Sequence, residues 1–408
     1  MLMADSFRVL EIAGDATAPC GRLLVEAGAE VILIEPPGGA PRRRREPLLG
    51  PPEARVSAYT LFHDRGKRSL TLDLDTDEGR AAFLDLAATA DVVLESDPPG
   101  TLARRGLDYE TLRARQPGLV LVSITPFGQD GPYRDYAAND LVTFAMGGLM
   151  FISGVPGQPP VVAPDEQAYN TAATHAALAT LAALWGCRES GQGDWIDVSA
   201  FECLAAQENT LTNYLGPGRF TRRNGSQHRT ALPGRIFPAA DGYIHLYVGR
   251  ESGVWARFLE WLGHPPELVE RDLEDINCRW EHAALVDEAT ERFTCQRSRA
   301  ELFDSAQALH IPCVPVYSPA DYLADAQTTT RGLVVGADHP TLGRYRALRP
   351  PLELRPPHPP APSPTRGEGE QDAGISPPRP LWERGAGGVR GRPTGGKCPK
   401  PYAGAWSR

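Results

Sequence analysis

Residues 7–35 read FRVLEIAGDATAPCGRLLVEAGAEVILIE, and this one stretch already holds a strand, a helix and a second strand. Phe7–Ile12 and Glu30–Glu35 are apolar and β-branched runs, whereas the apolar residues of Cys20–Ala27 recur at helical spacing. The pattern repeats outward. Strand-like Asp91–Glu95 and Leu119–Thr125 alternate with helix-like Glu78–Ala90 and Tyr109–Arg115. Alternation of this kind predicts an α/β fold with a mostly parallel sheet covered by helices on both faces. Residues 170–186, NTAATHAALATLAALWG, are Ala/Leu-rich and nearly uncharged, which predicts a buried helix. Gly191-Gln192-Gly193 stops it, and Trp195–Ser199 returns to strand.

The sequence divides into a large unit over 1–204, a polar Asn/Gly/Arg-rich crossover over 205–235 and a smaller α+β unit over 236–330. The small unit is built from a strand at Gly242–Val248, helices at Val254–Leu262, Glu281–Phe293 and Arg299–Leu309, and a strand at Pro312–Val316. A return segment follows at 331–354. The tail, 355–408, reads as disordered. The last 58 residues carry 13 Pro and 10 Gly against five Leu, Ile, Val or Phe, too little apolar surface to offset the entropy of ordering. Its wording resembles translated repetitive DNA, so a frameshifted C-terminus and a degraded gene product are among the readings.

Of the 408 residues, 42 are Lys or Arg and 51 Asp or Glu, giving a net charge of -9. An acidic chain argues against a nucleic-acid surface. No apolar run is long enough to span a membrane and no signal-peptide pattern opens the chain, so the expected location is cytoplasmic. The seven Cys are scattered without a CxxC pair, and His228, His245, His264 and His310 lack ligand spacing, so neither disulfides nor zinc are expected.

Several ordered motifs resemble the family III CoA-transferases, the group of formyl-CoA transferase, carnitine CoA-transferase and the α-methylacyl-CoA racemases. They are Leu23–Ile32 with Glu35-Pro36-Pro37-Gly38-Gly39, Arg65-Gly66-Lys67-Arg68-Ser69-Leu70-Thr71-Leu72-Asp73-Leu74, Pro99-Gly100 with Arg104, Gly106–Tyr109 and Phe127–Tyr133. Gly191-Gln192-Gly193 leading to Asp197-Val198-Ser199, and Asp241-Gly242-Tyr243, complete the set. The resemblance implies a Rossmann-like large domain, a smaller domain and an interlocked homodimer. It also implies coenzyme A as a substrate at the strand C-termini, with no permanently bound cofactor, and an acyl-CoA and a carboxylic acid as the reacting partners. An aspartate of the family attacks the acyl-CoA to give a mixed anhydride, then an enzyme-bound CoA thioester.

Ungapped alignment between Pro159-Pro160 and Leu181–Leu184 places Tyr169 at that aspartate, and a phenol cannot form the anhydride. Glu166 becomes the candidate carboxylate; alternatively Asp165-Glu166 merely starts the following helix. Arg42, Leu72, Ser96 and Arg104 are the expected coenzyme contacts. The family's lysine is Asp75 here, and its Asn-Phe pair is Ser96-Asp97. The racemase histidine is missing from Ala138-Asn139-Asp140. His175 reads as a packed helix residue that would otherwise pair with Tyr169. Two functional readings result: a CoA-transferase with Tyr169 in place of its aspartate, or a non-catalytic homologue that binds acyl-CoA or regulates a partner.

Overall fold

The computed structural model describes residues 7–207, 214–216, 218, 222–228 and 230–351. The predicted disordered tail and part of the predicted crossover lie outside the described residues. The first three elements fall where the sequence reading expects them, β1 (Arg8–Ile12), α1 (Thr17–Glu26) and β2 (Glu30–Glu35); a small hairpin of β3 (Leu48–Leu49) and β4 (Val56–Ser57), then α2 (Ala58–His63) and β5 (Arg68–Thr71), follow without a counterpart in that reading. Next come α3 (Asp77–Ala87), β6 (Val92–Glu95), α4 (Thr101–Arg104), α5 (Tyr109–Arg115) and β7 (Val120–Thr125). Helices α6 (Asp140–Met146), α7 (Leu149–Ile152) and α8 (Gln167–Ser190) lead to β8 (Trp195–Ser199) and α9 (Ala200–Gln207).

Six strands form one parallel sheet in the order β5-β2-β1-β6-β7-β8. Their side chains alternate between two cores, as a pleated strand buried on both faces requires. Val9, Val92, Leu94, Val120 and Val122 pack under α1 and α8, while Leu10, Val93 and Leu121 pack on the other face with Phe83 of α3 and Leu112 of α5. Strand β5 escapes simple pattern reading because all four of its residues are exposed at the sheet edge. Helices α3 and α5 start at Thr76 and Asp108, whose side chains accept from Gly79 and Thr111 backbone N–H groups, the usual way to satisfy an orphan helix donor.

Helix α8 corrects the expectation of a buried helix. Ala172, Ala173, Ala176, Ala177 and Thr180 face the core, but Leu178 and Trp185 are 69% and 53% exposed on the other side. Small Ala side chains let the helix sit close on the sheet without making it apolar all round. His175 is likewise exposed, with Nδ1 on the Thr171 carbonyl at 2.9 Å, so it is neither a core residue nor paired with Tyr169.

The second core gathers Phe237, Ile244, Leu246, Trp255, Phe258 and Val286. Its sheet is β9 (Gly234–Ala239), β10 (Gly242–Tyr247) and β11 (Cys313–Pro315), all antiparallel, backed by helices at Val254–Leu262, Ala283–Thr294 and Arg299–Ala308. The predicted return segment carries local structure of its own. It forms the hairpin β12 (Val334–His339) and β13 (Gly343–Leu348).

Candidate functional site

Strand order reverses between β1 and β6, and in open parallel sheets that switch point, at the carboxyl ends of the strands, is where a ligand crevice opens. Gly14 follows β1 there and Ser96 follows β6. A Cβ on Gly14 would stand 2.0 Å from Ser96 Oγ, so the two loops meet only because residue 14 has no side chain. Leu72 lies half-buried beside this edge, its N–H donating to the Glu35 carbonyl at 2.9 Å. Arg104 is exposed at the end of α4 with Nη2 on Thr101 Oγ1 at 2.8 Å. The two aspartates expected to make this edge acidic share one cation: Arg105 pairs with Asp75 and Asp97, each at 2.9 Å.

The Arg42–Arg45 run splits by function. Arg42 is corrected as a coenzyme contact: its side chain is 1% exposed, and its guanidinium is spent on Glu11 at 2.8 Å, Asp64 at 2.9 Å and the Gly14 carbonyl at 2.7 Å. Lys67 completes this buried cluster, 2.6 Å from Glu11 and 3.0 Å from Asp64. Arg43 reaches Glu35, at the end of β2. Arg45 turns the other way and forms an ion pair with Glu166.

Around that pair lies a cleft of about 660 Å³, lined among others by Asp15, Arg45, Asp140, Glu166 and Tyr169. It brings together both sequence-predicted catalytic positions. Tyr169 sits in the first turn of α8, half-buried. Burial first, then the neighbouring Asp15, Asp140 and Glu166 carboxylates, push its hydroxyl up to about 12, so the phenol is neutral across the physiological range. Glu166 is the residue before the helix, but it does not cap it. The first turn is served instead by Asp140 of α6, whose Oδ1 accepts from the Tyr169 backbone N–H at 2.9 Å. Burial raises the Asp140 carboxyl above its usual range.

Glu166 is therefore free to turn into the cleft. Arg45 holds its Oε1, and the Tyr59 hydroxyl donates to its Oε2 at 3.0 Å. The Arg45 guanidinium in turn lies 4.3 Å over the Tyr59 ring, a cation–π contact that fixes its plane. Sequence reading named Glu166 but missed its partners. Tyr59 lies 107 positions away on α2, and Asp140 was noted only as part of a lost histidine motif. Nothing in local spacing points to either.

Residues 5–370 match the profile of CoA-transferase family III. The chain belongs to that family. It is 33% identical to succinyl-CoA–D-citramalate CoA-transferase of Chloroflexus aurantiacus, over 84% of this chain and 85% of that protein. It is 34% identical to the BbsE subunit of succinyl-CoA:(R)-benzylsuccinate CoA-transferase of Thauera aromatica, over 83% and 84% of the two chains. Among solved structures, a CaiB/BaiF family protein of Brucella suis superposes with a TM-score of 0.75 at 32% identity, covering 86% of this chain and 92% of that one. The family III assignment makes CoA thioesters the substrates. None of the described helices of the family III chain is long and apolar enough to cross a membrane.

Proposed function

We propose that the protein moves CoA between an acyl-CoA and a carboxylic acid, with Glu166 as the attacking carboxylate in the cleft where Tyr169 replaces the family's aspartate. The observation that carries this reading is the placement of Glu166 beside Tyr169 with its side chain turned into the cleft rather than onto the helix. A carboxylate accepts more than one hydrogen bond per oxygen, so the contacts to Arg45 and Tyr59 orient Glu166 without using up its lone pairs.

The steps balance as follows. Glu166 attacks the thioester carbonyl of the acyl-CoA, the C–S bond breaks, and a glutamyl–acyl anhydride and CoA thiolate result. The thiolate attacks the glutamyl carbonyl, releasing the acyl group as a carboxylate and leaving a Glu166–CoA thioester. The acceptor acid then runs the same two steps in reverse, and Glu166 is restored as a carboxylate. Tyr169, neutral throughout, lines the cleft without exchanging a proton. Leu72, Ser96 and Arg104 stand at the strand ends where the coenzyme is expected, with the Arg105–Asp75–Asp97 strap beside them. The relatives named for succinyl-CoA make it the donor to try first.

Incubation with succinyl-CoA, borohydride reduction and mass analysis of the peptide carrying Glu166 tests the reading. Reduction of the thioester to the alcohol at Glu166 is expected, and an unmodified peptide overturns it. A second reading is favoured by a separate observation: two of the relatives are named as subunits, BbsE and the beta subunit of succinyl-CoA–L-malate CoA-transferase. Under it this chain binds acyl-CoA and assists a second family III chain that brings the aspartate. It predicts no adduct here and CoA transfer only in the mixture. For either reading an interlocked homodimer, or a pair with that second chain, would cover Leu178 and Trp185 on α8; light scattering of the purified chain reads the stoichiometry.

A further inference from the structure

We infer that Arg45 is a carboxylate relay: it pairs with Glu166 at rest and with the substrate carboxylate while Glu166 is held as its CoA thioester. The inference rests on the Glu166 reading above. Its ground is the charge inventory of the cleft. Asp15, Asp140, Asp165 and Glu166 all line it, and the two arginines that line it differ completely in availability. Arg42 is sealed in the cluster with Glu11 and Asp64, whereas the Arg45 side chain is 41% exposed and, among the described residues, has Glu166 as its ion-pair partner and the Tyr59 ring beneath it.

A carboxylic acid entering so acidic a cleft meets like charges unless a cation receives it. At rest Arg45 has its partner. Once the Glu166 carboxylate has become a thioester it carries no charge, and at that same step a substrate carboxylate, departing or arriving, is present. Arg45 then has a carboxylate partner at rest and again in the thioester state, when the acid leaves or arrives. The Tyr59 ring keeps the guanidinium in place during the exchange, because the cation–π contact does not depend on the charge of Glu166. Arginine suits this task better than lysine, since its planar fork meets either carboxylate in the same geometry.

The relay separates two halves of the reaction. Trapping the Glu166 thioester with a neutral nucleophile needs no incoming carboxylate, but turnover with an acid does. The test uses the full chain, succinyl-CoA as donor, and either labelled succinate or hydroxylamine as acceptor, on the unsubstituted protein, Arg45→Lys and Arg45→Met. For Arg45→Met, succinate exchange is expected to fall roughly tenfold to a hundredfold, with the effect in KM for succinate rather than for succinyl-CoA. Hydroxamate formation at Glu166 also falls, because Arg45 orients that carboxylate, but by a smaller factor than succinate exchange, and urea unfolding reports separately that the variant is folded. Arg45→Lys should recover part of the succinate exchange. Equal loss toward both acceptors, or unchanged KM for succinate, overturns the relay while leaving the Glu166 reading standing. No hydroxamate on Glu166 in the unsubstituted protein overturns both.

Discussion

Arg42 and Arg45 stand three residues apart in one basic run, yet one is locked into the fold and the other lines an open cleft. Arg42 lies under the sheet edge with Lys67, Glu11 and Asp64, two cations and two carboxylates with almost no contact with water. Arg45 meets one carboxylate at the mouth of an open cleft. The buried cluster earns its place by geometry alone: each charge is matched within 3.0 Å, and losing any member strands another charge in a low-dielectric site. The cleft pair has the opposite property. Its members can separate at small cost, as an exposed ion pair does, which is what a group that must change partners requires.

The sharpest way to break this contrast is Glu166→Gln. If Glu166 is the attacking group, succinyl-CoA exchange falls by at least about a thousandfold, since an amide cannot form the anhydride. Stability changes by no more than about 1 kcal/mol, because the lost ion pair is partly exposed. Steady-state exchange and urea unfolding read the two quantities. Arg42→Met should do the reverse in kind: about 3–5 kcal/mol of stability lost in urea, because Glu11 and Asp64 are left to share Lys67 alone in the buried cluster.

A third carboxylate sharpens the comparison. Glu95, at the end of β6, is 4% exposed, and no arginine or lysine pairs with it among the ion pairs of the described residues; it has the Ser123 hydroxyl and the Asp97 N–H at 2.8 Å. Burial pushes its carboxyl up to about 7. A folded-state value above the unfolded one means that the native chain holds this proton more tightly. Stability is then fully present below about 4.5 and is lost as pH rises toward about 7, by roughly 2–3 kcal/mol. Urea midpoints across pH 4 to 8 should show that decline, and Glu95→Gln should remove it. A decline that persists in the variant would place the titration elsewhere.

Much of the large domain is visible in the sequence because its strands show as short runs of Val, Ile and Leu, as at Glu30–Glu35, or as alternation, as at Trp195–Ser199, and both begin and end as read. Strand β5 is not, since Arg68–Thr71 lies on the sheet edge and keeps no apolar face. The β9 strand hides in a similar way: Gly234 and Arg235 fall in the polar crossover and Pro238 interrupts the run after it, but its Phe237 fills the second core. For the site, the reading that sets Tyr169 at the family's aspartate comes from alignment alone. The Arg45–Tyr59–Glu166 contacts are not, because they join three loops and helices far apart in the chain, and four consecutive arginines carry no local mark of which one will be buried.

The smallest expected effect concerns Tyr169. Its phenol is neutral and lines the cleft, so Tyr169→Phe should leave succinyl-CoA exchange within about twofold. Tyr169→Asp returns a carboxylate to the family's position, but among Asp15, Asp140 and Glu166 that new charge is disfavoured and its carboxyl is raised. The gain is therefore modest, about tenfold, and larger at pH 8 than at pH 6 because more of the new carboxylate is ionised there. Adding Glu166→Gln to Tyr169→Asp decides what the gain means. If exchange survives in the double variant, the aspartate has taken over the attack and Glu166 was acting in its stead. If it vanishes, Glu166 remains the attacking group, and the new charge acts on the cleft only through its field.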